Sequence, residues 1–236
     1  NASGTGSATA PVVFAGFGIV EPRLDHDDYL GEDLNGRIVL ILEREPGVAD
    51  VASPFDGVVT AEASREWRKV LAAQERGAVG VLLTRDIHNR DAVEDWGGTH
   101  AGSWPDEPRR IERFTLGAWA DQITIPAARI STELAEALVA RAGRSLEELS
   151  LEAERAEGGL GPLELPGSQV SMNVSVDRHT VGGTNIMAMI EGSDPELRDE
   201  VVIIGAHHDH NGATETEVFN GADDDGSGTV GVMAIA

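Results

Sequence analysis

Histidine and aspartate side chains cluster near one end of the sequence, in the segments GAHHDH, which begins at Gly205, and GADDDGSG, which begins at Gly221. Imidazole and carboxylate groups together form a ligand set that Zn²⁺ prefers, and Co²⁺ or Mn²⁺ can use the same set. The chain has no cysteine, so thiolate ligands and disulfides are excluded. The two segments therefore predict a metal site built from His207 and a carboxylate of the aspartate run.

The segment that precedes the histidines explains how they would be positioned. Residues 201–206 (VVIIGA) are apolar without alternation, which predicts a central strand covered on both faces. Functional groups gather at the carboxyl ends of such strands. Positions i and i+2 of an extended segment point the same way, so Asp209 is expected to orient the His207 imidazole, and His208 is expected to face the opposite side.

Each feature also has a simpler interpretation. A single His-x-Asp pair is more often structural or solvated, and a run of aspartates more often caps a helix N-terminus. Gly226 and Gly228 alone indicate only a tight turn, and the spacing does not match a calcium-binding EF-hand loop. The occurrence of both motifs directly after a predicted buried strand favours a metal site.

The upstream residues predict a strand, helix, strand unit. Short apolar runs bounded by glycine and proline predict buried strands over residues 11–18, 36–42 and 79–83, and helical spacing predicts a helix over 62–76. The elements expected further along are a strand over 123–130 and helices over 132–142 and 145–149, the first of them capped by Ser131.

Composition changes at residues 157–167 (EGGLGPLELPG), which predicts a domain boundary there. The expected division is a linker over residues 1–10, a first domain over 11–163 and a second over 164–236. Strands are expected over 170–176 and 184–190, and a helix from residue 229. A long polar excursion is predicted over residues 86–121.

The net charge of -23 disfavours nucleic acid and anionic membrane surfaces as partners. No apolar run approaches the roughly 20 residues of a membrane helix, so no membrane insertion is expected. Lys69 is the single lysine among 18 basic residues. An acidic, lysine-poor surface suits a protein that works in high salt, although a GC-rich genome would also replace lysine by arginine. The oligomeric state stays open.

The two motifs resemble the start of the catalytic domain in co-catalytic di-zinc aminopeptidases, a family that includes glutamate carboxypeptidase-like enzymes and the non-catalytic transferrin receptor ectodomain. TNIMAMIEGSDPELRDE, from Thr184, is similar to the strand and turn that precede the motif there. FAGFGI, DDYLGEDLNGRIVLIL, AAQERGAVGVLLTRD and ITIPAARIS resemble successive elements of the protease-associated (PA) domain inserted in many members. The fold implied is α/β, with a β-sandwich or barrel-like PA domain and flanking helices followed by the first strands of a zinc-exopeptidase sheet.

The resemblance also implies roles for individual residues. His207 would be a ligand of one zinc, Asp224 the carboxylate that bridges two zincs, and Asp209 the catalytic-site residue that orients His207. A complete site would hold two Zn²⁺ ions, which Co²⁺ or Mn²⁺ could replace, and would act on a peptide substrate with a metal-activated water. Relatives with PA inserts are often exported, which favours a periplasmic or secreted protein.

The family also uses a Glu-Glu pair, another acidic ligand and a final histidine, all downstream of the segments present here. The chain is therefore expected to be a fragment that is inactive alone and binds zinc weakly. Two alternatives stay open: a non-enzymatic PA-type interaction or receptor module with a vestigial metal site, and a cyclase acting on N-terminal glutamine. Side-chain specificity, and aminopeptidase against carboxypeptidase action, are not determined by these residues.

Overall fold

The structure is a computed structural model that describes residues 2–48, 50–55, 61–88, 115–213 and 215–236. The chain divides into two compact units, residues 1–104 with 115–179, and residues 105–114 with 180–236. Most of the polar excursion predicted over residues 86–121 lies outside the described residues.

A mixed five-stranded sheet is the framework of the first unit. Its strands are β1 (Gly6–Phe14), β4 (Ile38–Leu42), β5 (Gly80–Thr84), β6 (Ala127–Arg129) and β7 (Leu163–Val174), and a two-stranded ribbon is formed by β2 (Val20–Glu21) and β3 (His26–Asp27). The sheet order is β6-β5-β4-β1-β7, in which β7 alone is antiparallel to its neighbour. The strands predicted over residues 36–42 and 79–83 are confirmed.

Helices cover both faces of this sheet: α1 (Glu66–Glu75), α2 (Gly117–Ala120), α3 (Thr132–Val139) and α4 (Leu146–Arg155). Alternate side chains of β4 enter different cores, because successive residues of a strand point to opposite faces. Leu40 belongs to the core that contains the α3 and α4 residues Leu138 and Leu149, whereas Val39 packs in the core that contains Val70 of α1.

The ends of the two consecutive helices α3 and α4 follow from local side-chain chemistry. The Ser131 hydroxyl accepts a hydrogen bond from the Leu134 N–H, which confirms the predicted N-cap. Ser145 and Glu148 form a reciprocal capping box at the start of α4. Gly143, with φ at +72°, separates the helices in a left-handed conformation that favours glycine. The helix predicted over 145–149 is correct in its start but extends to Arg155.

The α/β class is confirmed, but the expected β-sandwich or barrel-like form of the first domain is wrong for the described residues. They form one open sheet with helices on both faces. The physical reason is visible in β4 and β5, all of whose residues are buried, since a strand that is apolar on both sides needs cover on both sides. The division between the units also differs from the boundary predicted at 163/164, because β7 pairs with β1 and belongs to the first unit.

The described part of the second unit contains one helix, α5 (Ser227–Ile235), a turn over Ala222–Gly226 and a β-bridge between Ala213 and Val218. The strands predicted over 184–190 and 201–206 are wrong for this structure. No described strand pairs with either segment, and Val201, Val202 and Ile203 are 78–89% exposed. Among the described residues, no helix combines the length and the apolar character that crossing a membrane requires.

Candidate metal centre

The two sequence motifs are brought together by a closed loop over residues 211–220. The Phe219 N–H donates to the Gly212 carbonyl at 2.9 Å, and Ala213 forms a bridge with Val218. These contacts fold the loop back on itself, so that the GAHHDH segment before it meets the GADDD segment after it. The site therefore lies wholly within the second unit, immediately before α5.

Both nitrogens of the His207 ring have oxygen partners. Nδ1 lies 2.9 Å from the main-chain oxygen of Asp209, and Nε2 lies 3.0 Å from Oδ1 of Asp224. A carbonyl oxygen only accepts, so Nδ1 carries a proton and Nε2 is the nitrogen directed at the carboxylate. The Asp209 carboxylate is also within reach, with Oδ1 at 3.4 Å from Nδ1. Asp209 thus contacts the ring, and its nearest oxygen belongs to the backbone.

The main chain of His207 is held by residues at the start of α5. Its N–H donates to Oδ2 of Asp225 at 3.3 Å, and its carbonyl accepts from the Thr229 hydroxyl at 2.9 Å. The Asp225 carboxylate lies directly over Gly228, where an added Cβ would overlap it. The second glycine of the GSG sequence therefore provides the space in which Asp225 can accept this bond.

Electrostatics favour a charged imidazole at this position. The hydrogen bond to the Asp209 carbonyl raises the pKa of His207 above its usual value, and the nearby carboxylates of Asp224 and Asp225 act in the same direction. Partial desolvation opposes them. A divalent cation placed between Nε2 and the aspartates would replace the imidazolium proton as their counter-charge, so metal and proton compete for one nitrogen.

The donor set fits a zinc ion in chemistry and in spacing. Zinc ligands of the His N and Asp O type lie at about 2.0–2.2 Å from the metal, and two atoms 3.0 Å apart can both meet that distance. With Nδ1 bound to a carbonyl, Nε2 is the nitrogen that faces the Asp224 carboxylate, the arrangement usual for metal-binding histidines. The described residues contain no group of three or more His, Asp or Glu side chains arranged to hold a metal.

Residues 185–236 match the family model described as Peptidase family M28. The matched segment includes His207, Asp209 and Asp224, and it does not extend into the first unit. Peptidases of this family are typically zinc-dependent, so the match supports a metallopeptidase. No curated protein matches the chain.

Two further contacts were not anticipated from the sequence. Asp225 holds the His207 backbone, a role for which the neighbouring glycines were the available signal. The second contact is made by His210, whose Nδ1 lies 3.7 Å from Oδ2 of Asp224. His208 makes no hydrogen bond or ion pair with the residues that the structure describes. His26 lies in the first unit, where its ring packs edge-on against Phe55.

Proposed function

We propose that the first unit of this chain is a PA domain and that the second unit is the N-terminal part of the catalytic domain of a di-zinc exopeptidase, most readily an aminopeptidase. The observation that carries the proposal is the 3.0 Å approach of His207 Nε2 to Asp224 Oδ1, within the segment that matches a metallopeptidase family. An imidazole and a carboxylate that converge in this way form the beginning of a zinc site.

Each residue of the site has a separate task in this proposal. His207 presents Nε2 to the metal, Asp209 fixes the ring from the Nδ1 side, and Asp224 offers two oxygens that can be shared between two cations. Bound zinc ions would supply Lewis acidity, which polarises a peptide carbonyl and lowers the pKa of a water molecule. The remaining ligands and the general base would come from residues other than those that the structure describes.

The first unit would have a supporting role in this enzyme. Its described residues form no cluster of three or more metal-binding side chains, so we propose that it limits substrate access rather than takes part in bond cleavage. The ligand set would be completed by acidic residues and a histidine, as in the family that the motifs resemble.

Calorimetric titration with Zn²⁺ tests the site on the chain itself. We expect weak binding that is lost in His207→Ala and in Asp224→Asn and retained in His208→Ala, because His208 makes no hydrogen bond or ion pair with the described part of the site. Equal zinc affinity in all three variants would overturn the assignment. Tight, stoichiometric binding of two zinc ions would contradict the proposal that ligands are contributed from elsewhere.

The activity is tested on the natural protein that contains this chain. Hydrolysis of aminoacyl anilides that stops on chelation, returns with Zn²⁺ and is abolished by His207→Ala would support an aminopeptidase. Cleavage only of peptides with a free C-terminus would redirect the proposal to a carboxypeptidase. Zinc binding without hydrolysis of either substrate class would favour the receptor-like alternative.

A further inference from the structure

His210 occupies a sheltered position beside the site. Its side chain is 21% exposed, whereas that of the neighbouring Asp224 is 75% exposed. The ring lies against the backbone of Gly221, where an added Cβ would stand 2.7 Å from Cγ of His210 and 2.8 Å from its Cβ. Gly221 has φ at +60°, so it combines a left-handed conformation with the absence of a side chain that would displace the ring.

The carboxylate of Asp224 lies between two imidazoles. Oδ1 faces Nε2 of His207 at 3.0 Å, and Oδ2 faces Nδ1 of His210 at 3.7 Å. The second distance is too long for a hydrogen bond and marks an electrostatic contact. Among the described residues, these two oxygens have no other hydrogen bond or ion pair, so the two histidines are the polar groups that orient this exposed carboxylate.

We infer that His210 is a positioning residue for Asp224. Its ring packs against Gly221 and holds Oδ2 of the Asp224 carboxylate, so that both carboxylate oxygens keep the orientation needed to bind two cations. The inference rests on the proposed zinc site and adds to it a residue that acts through Asp224 without binding the metal. Loss of an outer partner of a metal ligand typically weakens metal affinity by about 10–100-fold.

The closed loop over residues 211–220 explains why His210 contacts Gly221. Residues 211–220 leave the site after His210 and return at Gly221, and the Phe219–Gly212 hydrogen bond holds the two strands of the loop together. His210 and Gly221 are therefore neighbours at the base of the loop. The loop converts a separation of eleven sequence positions into a side-chain-to-backbone contact.

The test is a Zn²⁺ titration of the chain, followed through the imidazole nitrogen resonances of His207 by NMR. His210→Ala is expected to weaken binding by about tenfold or more, and to broaden or shift the metal-induced change at His207 Nε2. His210→Asn keeps an N–H donor near the Nδ1 position and is a poor zinc ligand, so it is expected to restore most of the affinity. His208→Ala is the matched control and should bind as the unchanged chain does.

A second pair of variants probes the same contact from the backbone side. Gly221→Ala should weaken zinc binding at least as much as His210→Ala does, because the new Cβ would stand 2.7 Å from the ring and 2.5 Å from the main-chain oxygen of Asp224. Gly212→Ala is the control for backbone strain, since Gly212 also has a positive φ, +70°, but has open space around it. Circular dichroism of each variant shows whether α5 is retained.

The outcomes separate this inference from the proposed function. If zinc leaves the His207 resonances of the unchanged chain unmoved, the zinc site and the role of His210 are both overturned. If the unchanged chain binds and His210→Ala binds equally well, only the role of His210 is overturned. If His210→Asn binds as poorly as His210→Ala, the positioning role is also overturned, because a ligand role would then explain the loss better.

Discussion

Lys69 allows a test of the first unit through the pH dependence of its stability, because the chain has few other groups that titrate between about pH 7 and about pH 10. Its side chain is 1% exposed, and Nζ donates to the carbonyl oxygens of Leu42, at 3.0 Å, and of Arg44. Burial lowers the pKa of Lys69 from 10.5 to about 7, against the attraction of nearby carboxylates, which raises it. Those carboxylates belong to Asp28, Glu43, Glu45 and Asp86.

The sign of the effect on stability follows from proton binding. Between about pH 7 and 10.5 the unfolded chain keeps a proton on Lys69 that the folded chain has lost, so the free energy of unfolding rises with pH in this window. One pKa unit corresponds to about 1.36 kcal/mol, which gives a rise of about 2.5 kcal/mol between about pH 7.5 and about pH 9.5. The stability gained at high pH is lost as the pH falls toward 7.

Few other groups titrate in this range. The chain has no cysteine, one lysine and one tyrosine. Burial raises the pKa of that tyrosine, Tyr29, so it lowers stability only above about pH 10, where the unfolded chain would ionise it. Trp67 and Trp119 stack on each other in the described part of the first unit, so tryptophan fluorescence during urea denaturation reports on the unfolding of that unit.

The expected result is a rise in unfolding free energy for the unchanged chain that is absent in Lys69→Met. Arg68→Met, at the adjacent and partly exposed position, is the control and should keep the rise, because arginine does not titrate in this range. A flat profile for the unchanged chain, or the same rise in Lys69→Met, would refute the reasoning. The comparison uses the slope of the unfolding free energy against pH, so it holds even if the substitution changes the absolute stability.

Three further outcomes follow from the structure. Ser145→Ala removes the capping box of α4 and should lower the free energy of unfolding by about 1 kcal/mol in the same urea experiment; no change would mean that the cap is not formed. Gly228→Ala should displace Asp225 from the His207 N–H and weaken Zn²⁺ binding by about tenfold, whereas Gly231→Ala, which has open space, should not. Molar KCl should raise the melting temperature, because it screens repulsion within a chain of net charge -23; a constant melting temperature would count against adaptation to salt.

The strands that the sequence predicted correctly are those whose burial is uniform. Residues 36–42 and 79–83 are continuous apolar runs, and both form central strands with helices on either side. The start of β7 was not predicted, because Pro166 and Gly167 interrupt its pattern and suggested a linker. Proline is tolerated there since β7 is an edge strand, and its position at the edge depends on pairing that the local sequence does not encode.

The proposed metal ligands were recognisable from the sequence, whereas the contacts that support them were not. The chemistry of His207 and of the aspartate run was recognisable from residue type and spacing, and the resemblance singled out Asp224. The positions of His210 and Asp225 depend on the closure of the 211–220 loop and on space left by two glycines. The strand expected over residues 201–206 fails for a related reason, because a ladder needs a neighbour as well as a suitable side-chain pattern.

The exposed apolar run at residues 201–204 also affects how the chain remains dispersed in solution. Short windows of β-branched residues that lack charge and proline are the segments that stack into cross-β aggregates. Charged residues stand on both sides of this window, Arg198, Asp199 and Glu200 before it and Asp209 after it. Flanking charges of this kind act as gatekeepers against edge-to-edge association. Asp209 would then have two uses, one as a partner of His207 and one as a barrier to self-assembly.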